Sequence, residues 1–130
     1  IIFKYVTNLK REKIKYYFRQ GDVLVDQLYA GSYGSITREA MAYGLVIMSN
    51  LIFKNKENSV INQLKKSPII NVNKSNLEKK IIFIIQNKSK INILKKKSYK
   101  YWKNNYYAKN TLKKLLNDYN QLLDQKNKLF

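Results

Sequence analysis

Along the first 50 residues the apolar positions change period repeatedly. "IIFKYV" (Ile1 to Val6) is an apolar, partly β-branched run and predicts a buried strand. In "KREKIKYYFRQ" the residues Ile14, Tyr17 and Phe18 fall at i, i+3 and i+4, one helical face, with the basic residues mostly off it. Gly21 follows in the position that closes a helix after its C-cap. "DVLVDQ" (Asp22 to Gln27) carries the continuous run Val23, Leu24, Val25, which suits a strand covered on both faces, as in a parallel sheet. A glycine-containing loop, "LYAGSYG", precedes "SITREAMAY", where Ile36, Ala40, Met41 and Tyr43 have helical spacing and Gly44 ends the element. "LVIMSN" (Leu45 to Asn50) is again strand-like. Strand, helix, strand, helix, strand with short connections predicts a right-handed parallel α/β sheet.

The second half is less sharply patterned. A short helix is expected near Val60 to Lys66. Pro68 then leads into "IINV", a further strand with the proline at its start. "SNLE" (Ser75 to Glu78) has the form of a capping box. Leu77, Ile81, Ile84 and Ile85 share a helical face behind it, although the β-branched run also reads as a strand. Ala108, Leu112, Leu115, Tyr119 and Leu122 repeat at spacings of four and three. That predicts an amphipathic helix packed on something, with a coiled-coil seam as the alternative. The expected organisation is one partial domain over residues 1–130: an α/β core over 1–72 and basic C-terminal helices over 73–130.

Composition changes this picture in three ways. The 26 basic and 8 acidic residues leave a net charge of +18, which attracts polyanions such as nucleic acid, anionic lipid or a phosphorylated ligand. The joint enrichment in Lys, Asn, Ile, Tyr and Phe is also what an AT-rich genome produces. Cysteine and histidine are both absent. Disulfides, thiolate metal sites and the usual general base are therefore excluded, and proton transfer would fall to Asp, Glu, Lys or Tyr. No apolar run approaches the ~20 residues that cross a bilayer. The chain opens at Ile1 rather than Met, and we read it as a piece of a longer protein.

All four glycines lie in or beside "DQLYAGSYGSITREAMAYG", at Gly21, Gly31, Gly34 and Gly44. Between a strand and a helix of a parallel sheet, such a loop lies where ligands bind. Gly31 and Gly34 let a ligand approach the backbone, Ser35 is the expected N-cap, and Ser32 adds a hydroxyl. The helix start offers unpaired amides to a phosphate. Glu39, about one turn in, suits a vicinal diol instead, because a carboxylate accepts hydrogen bonds from two hydroxyls. Phosphate donors beside a diol acceptor suggest a nucleotide. A tight turn and a helix with one surface charge would use the same residues.

"DVLVDQLYAGSYGSITREAMAYGLVIMSN" resembles the C-terminal domain of glycosyltransferase family 4 enzymes, in which a strand leads to a glycine loop, "EAMA", a glycine and an apolar strand. The likeness spans Lys13 to Asn50, and continues weakly through "PIINVNKSNLEKKI" and "YWKNNYYAKNTLKKLLNDYNQL". The resemblance implies a Rossmann-like parallel sheet flanked by helices, the C-terminal half of a GT-B fold. It implies retaining transfer of a sugar from a nucleotide diphosphate to an acceptor hydroxyl in cell-envelope or other glycan synthesis. Glu39 matches the second of the family's two glutamates and would hold the donor ribose. Gly31 occupies the place of the first, which usually contacts the sugar. Tyr33, Gly34 and Ser35 match the loop whose backbone faces the diphosphate, and Val46 stands where proline is usual.

The family's basic pair and its acceptor-binding domain would lie before Ile1, so these 130 residues alone are expected to be inactive. No metal or cofactor is expected beyond the nucleotide-sugar substrate, and the expected location is cytoplasmic, at the inner face of the membrane. "SYKYWKNNYY" around Trp102 reads either as a peripheral membrane contact or as a closing helix packed on the sheet, and nucleic-acid stacking uses the same residue types. A basic nucleic-acid-binding module and a non-catalytic α/β scaffold are the alternative functions.

Overall fold

The computed structural model describes residues 1–127. In chain order it contains helix α1 (Arg11–Gln20), strand β1 (Val23–Val25), helix α2 (Ser35–Ala42), strand β2 (Val46–Ser49) and helix α3 (Asn58–Lys66). Strand β3 (Ile70–Asn71) follows, then helices α4 (Leu77–Gln86), α5 (Lys88–Asn105) and α6 (Ala108–Asn127). The strands form one open sheet in the order β1-β2-β3, both pairs parallel. Leu24 stands opposite Ile47, and Met48 opposite Ile70. The chain is thus an α/β structure with a small parallel sheet.

Strand β2 organises the core because every one of its residues is buried. Side chains alternate across a strand, so β2 feeds two layers. Val46 and Met48 join Val72 and Ile84 on one face, with Val23, Ile70, Leu77, Ile81, Ile91 and Leu94 packed around them. Ile47, with Leu45, joins Phe18, Ala40 and Met41 on the other, backed by Ile14, Leu24, Tyr101, Trp102 and Tyr106. Helices α1 and α2 cover this second face, and α4 covers the first.

Helix α5 reaches both layers. Its first half supplies Ile91 and Leu94 to one, and its end supplies Tyr101 and Trp102 to the other. Between them it passes the N-terminal ends of the strands, where Lys95 Nζ meets Asp22 Oδ1 at 2.9 Å and the Lys95 carbonyl lies 3.6 Å from the position of a Cβ on Gly44. Trp102, Tyr101 and Tyr106 therefore pack on the core in the closing-helix arrangement. Among the described residues no helix is long and apolar enough to cross a membrane.

Several local expectations are corrected. Ile1 to Val6 forms no strand and is exposed, Tyr5 by 95%. An apolar β-branched run becomes a strand only against a neighbour, and no described strand lies beside it. Gly21 follows α1 as expected but is extended, with φ −80° and ψ 152°. Its missing side chain matters through space, since a Cβ would lie 3.1 Å from the Tyr17 carbonyl oxygen. The capping box at Ser75 to Glu78 does not form. Asn73 Oδ1 instead accepts from the amides of Ser75 and Asn76, at 3.0 and 3.1 Å. This asparagine turn satisfies the donors before the helix begins. Helix α4 resolves the ambiguous isoleucine run as helical. The stripe on α6 is amphipathic as expected, yet Leu112, Leu115, Tyr119 and Leu122 are 51–63% exposed among the described residues.

Gly44 is a position where left-handed backbone is required. Its φ is +76°, its amide donates to the Met41 carbonyl at 2.9 Å, and the Leu45 amide donates to the Ala40 carbonyl at 3.2 Å. This closing motif turns the chain from α2 directly into β2. We expect Gly44→Ala to lower unfolding stability by about 1–2 kcal/mol in urea denaturation, with Gly44→Asn losing less, because asparagine tolerates this conformation.

Candidate functional site

The chain leaves β1 at Asp26 and reaches α2 at Ser35, so the glycine loop lies at the carboxyl end of the sheet. It is anchored to the exit of β2. The Asn50 amide donates to the Gln27 carbonyl at 3.0 Å, and the Ile52 amide to the Gly31 carbonyl at 3.0 Å. Ser49 Oγ donates to the Gln27 carbonyl at 3.1 Å and Asn50 Nδ2 to the Leu28 carbonyl at 2.7 Å. On the β3 side, Asn71 pairs with the Leu51 backbone through both its amide oxygen and its amide nitrogen, at 2.8 and 3.0 Å.

The loop glycines serve this packing. Gly31 is buried with φ +67°, and a Cβ there would lie 3.0 Å from Ile52 side-chain atoms. No glutamate fits at this position without displacing Ile52. At Gly34 a Cβ would come within 3.1 Å of Gln27 Nε2. The space that a side chain would take at either glycine is thus occupied in part by Ile52 and Gln27. Ser32 is half-buried between them.

Ser35 is not the N-cap of α2; Gly34 is, and it has no side chain with which to cap. The role passes to Asp26, a residue the spacing did not single out. Asp26 Oδ2 accepts from the Gly34 amide at 3.2 Å and from the Thr37 hydroxyl at 2.5 Å. Thr37 is fully buried, so this carboxylate also satisfies a hydroxyl that water cannot reach. The mouth of α2 is thus partly filled by the chain's own carboxylate. The amides of Ser35 and Ile36 remain among those that a helix leaves without an internal partner.

Glu39 is half-buried, with its side chain 31% exposed, and pairs with Arg11 through Oε1 and NH2 at 2.9 Å. Arg11 is 69% exposed, so the pair contributes only about 0–1 kcal/mol and is readily exchanged for other donors. The pairing brings the start of α1 to the same end of α2 as the glycine loop.

Tyr33 ties the loop to Tyr106, the residue that follows α5. Its hydroxyl lies 2.6 Å from that of Tyr106, and Gln63 Nε2 donates to Tyr106 at 3.4 Å. Tyr101 donates to the Gln63 carbonyl at 3.3 Å, and the Arg38 guanidinium stands 5.2 Å from the centre of the Tyr106 ring. Burial first, then the hydrogen bond with Tyr106, raises the Tyr33 pKa far above its ordinary value; burial likewise raises that of Tyr101. Both phenols stay protonated at neutral pH, which makes them donors and anchors rather than bases. Among the described residues no group of three or more Asp, Glu, His or Cys is placed to hold a metal ion. No protein-family model, curated protein or solved structure matches the chain.

Two outcomes follow. Asp26→Ala removes the cap and leaves the Thr37 hydroxyl buried without an acceptor, so we expect a loss of about 1–3 kcal/mol in urea denaturation, with Asp26→Asn recovering part of it. In alkaline titration followed by tyrosine absorbance, Tyr33 and Tyr101 should ionise above the ordinary tyrosine value of about 10. A phenol whose pKa rises on folding contributes stability that is complete below its unfolded value of about 10 and is lost as pH rises toward the folded one. Thermal stability should accordingly fall above about pH 10, and less steeply in Tyr33→Phe.

Proposed function

We propose that the chain is the nucleotide-sugar-binding part of a retaining glycosyltransferase, the C-terminal half of a GT-B fold. The observation that carries this reading is the placement of Glu39. A half-exposed carboxylate, held only by a surface ion pair, stands one turn into the helix that follows a glycine loop at the carboxyl end of a parallel sheet. The resemblance of residues 13–50 to family 4 enzymes supplies the chemistry that this placement fits.

In this reading the ribose hydroxyls of the donor displace Arg11 and bond to Glu39, an exchange of one exposed interaction for two charge-assisted hydrogen bonds. The diphosphate lies at the start of α2, against the amides of Ser35 and Ile36, where the helix dipole favours the charge that grows on the leaving group. Gly31 meets the sugar through its backbone, because a side chain there would crowd Ile52 on a left-handed backbone. Tyr33 and Ser32 shape the loop. Transfer itself needs the acceptor-binding domain and basic pair that the resemblance implies upstream, so these residues bind without turning over.

A non-catalytic scaffold of the same descent is the second reading. Asp26 favours it, since its carboxylate stands at the helix mouth where a diphosphate would approach.

Titration of the protein with UDP, GDP and ADP, followed by backbone NMR, separates the two. We expect one nucleotide to shift the resonances of Gly31 through Glu39. Glu39→Ala should weaken binding by about tenfold or more, the scale of hydrogen bonds to a charged group, whereas Arg11→Ala leaves it equal or tighter. Unchanged spectra with all three nucleotides would reject the donor-site reading and favour the scaffold.

A further inference from the structure

The sheet face opposite the glycine loop's helix carries a second concavity, between α4 and α5. It has a volume of about 340 Å³ and is lined by Phe83, Ile84, Ile93 and Leu94 together with Lys80, Lys90 and Lys97. The volume lies at the lower end of the roughly 300–1,000 Å³ of ligand sites. Its polar lining is entirely cationic. Among the described residues no carboxylate pairs with these three lysines, and Lys90 Nζ lies over the Phe83 ring at 4.6 Å. From Leu77 to Asn105 the sequence holds nine lysines and one glutamate. The apolar residues are not withdrawn: Phe83 is 47% and Ile93 54% exposed, and Ile82, next along α4, is also exposed.

We propose that the α4–α5 hairpin is a docking surface for an anionic lipid bilayer. A partner that fits must bring negative charge to the lysines and apolar matter to the exposed Phe83 and Ile93. Nucleic acid brings the first without the second. It would also want open aromatic faces for its bases, and here Lys90 covers the one aromatic ring of the groove. A bilayer brings both: phosphate and carboxylate headgroups at the depth of the lysine amines, and acyl chains just below, where Phe83, Ile82 and Ile93 insert. Lysine stems lie along apolar surface while their amines stay at the headgroups. The surface is built independently of Glu39 and does not rest on the donor-site reading.

The test is flotation of the protein with vesicles of phosphatidylcholine, alone or with about a third phosphatidylserine, at physiological salt. Binding is expected with the anionic vesicles and not the neutral ones. Lys80→Glu, Lys90→Glu and Lys97→Glu together should reduce it about tenfold or more. Phe83→Ser with Ile93→Ser should also reduce it several-fold, because screening leaves the apolar contribution intact. Reversing Lys54, Lys65 and Lys66, which lie on or before α3, should change it by less than about twofold. Glu39→Ala should leave it unchanged, so that failure here is separable from failure of nucleotide binding. Circular dichroism confirms that each surface variant is folded. The proposal is overturned if anionic vesicles do not bind, if the α3 reversal costs as much as the groove reversal, or if the serine pair has no effect, which would mark a general polyanion surface. Binding of an acidic peptide or of lipid monomers with no vesicle binding would likewise overturn it.

Discussion

The burial of β2 on both faces is the constraint on which the rest of the structure depends. A strand with no exposed residue needs a partner on each edge and a layer on each side. β1 and β3 supply the edges; α1 and α2 supply one layer, α4 the other, and α5 contributes to both. Parallel pairing follows from the helices between consecutive strands, since a return crossover of that length runs the chain back to the same end. The sheet's carboxyl end is then left to loops, and the glycine loop is one of them.

At that end, the atoms that stabilise the fold are also those that a ligand meets in our reading. Asp26 caps α2 and satisfies Thr37, which fixes where the helix begins and so where Glu39 stands. The same carboxylate occupies some of the helix's capacity to receive an anion. Gly31 shows a similar sharing: its left-handed backbone and closeness to Ile52 suit the closed loop, and they also set a side chain at that position against strain and crowding. In our reading the donor site is therefore narrower than a bare helix start, confined to the Ser35 and Ile36 amides and to Glu39.

The alternation of α1, β1, α2 and β2 was legible because the period of apolar residues changes at glycines that end elements. Gly44 is the clearest, with a positive φ and a complete closing motif. Ile1 to Val6 misled because strand propensity reports suitability for a sheet, and the partner that makes a strand is a property of the whole fold. Ser35 misled for a related reason. A local serine is the common cap, but here Gly34 takes that position and Asp26, just after β1, accepts from its amide. The Arg11–Glu39 pair and the Tyr33–Tyr106 contact span 28 and 73 residues, and no local pattern encodes such separations.

Helix α5 has a consequence for the order in which the chain can fold during synthesis. The β1–α2–β2 unit leaves the ribosome early, but Ile91 and Leu94 on one side of the sheet, and Tyr101, Trp102 and Tyr106 on the other, arrive only after some 40 to 60 further residues, several seconds at ordinary elongation rates. Until then the layers that α1, α2 and α4 lay over Ile47 and Met48 lack these side chains. A strongly cationic chain keeps such half-covered intermediates apart through mutual repulsion, so the abundance of lysine guards an interval that the topology makes unavoidable.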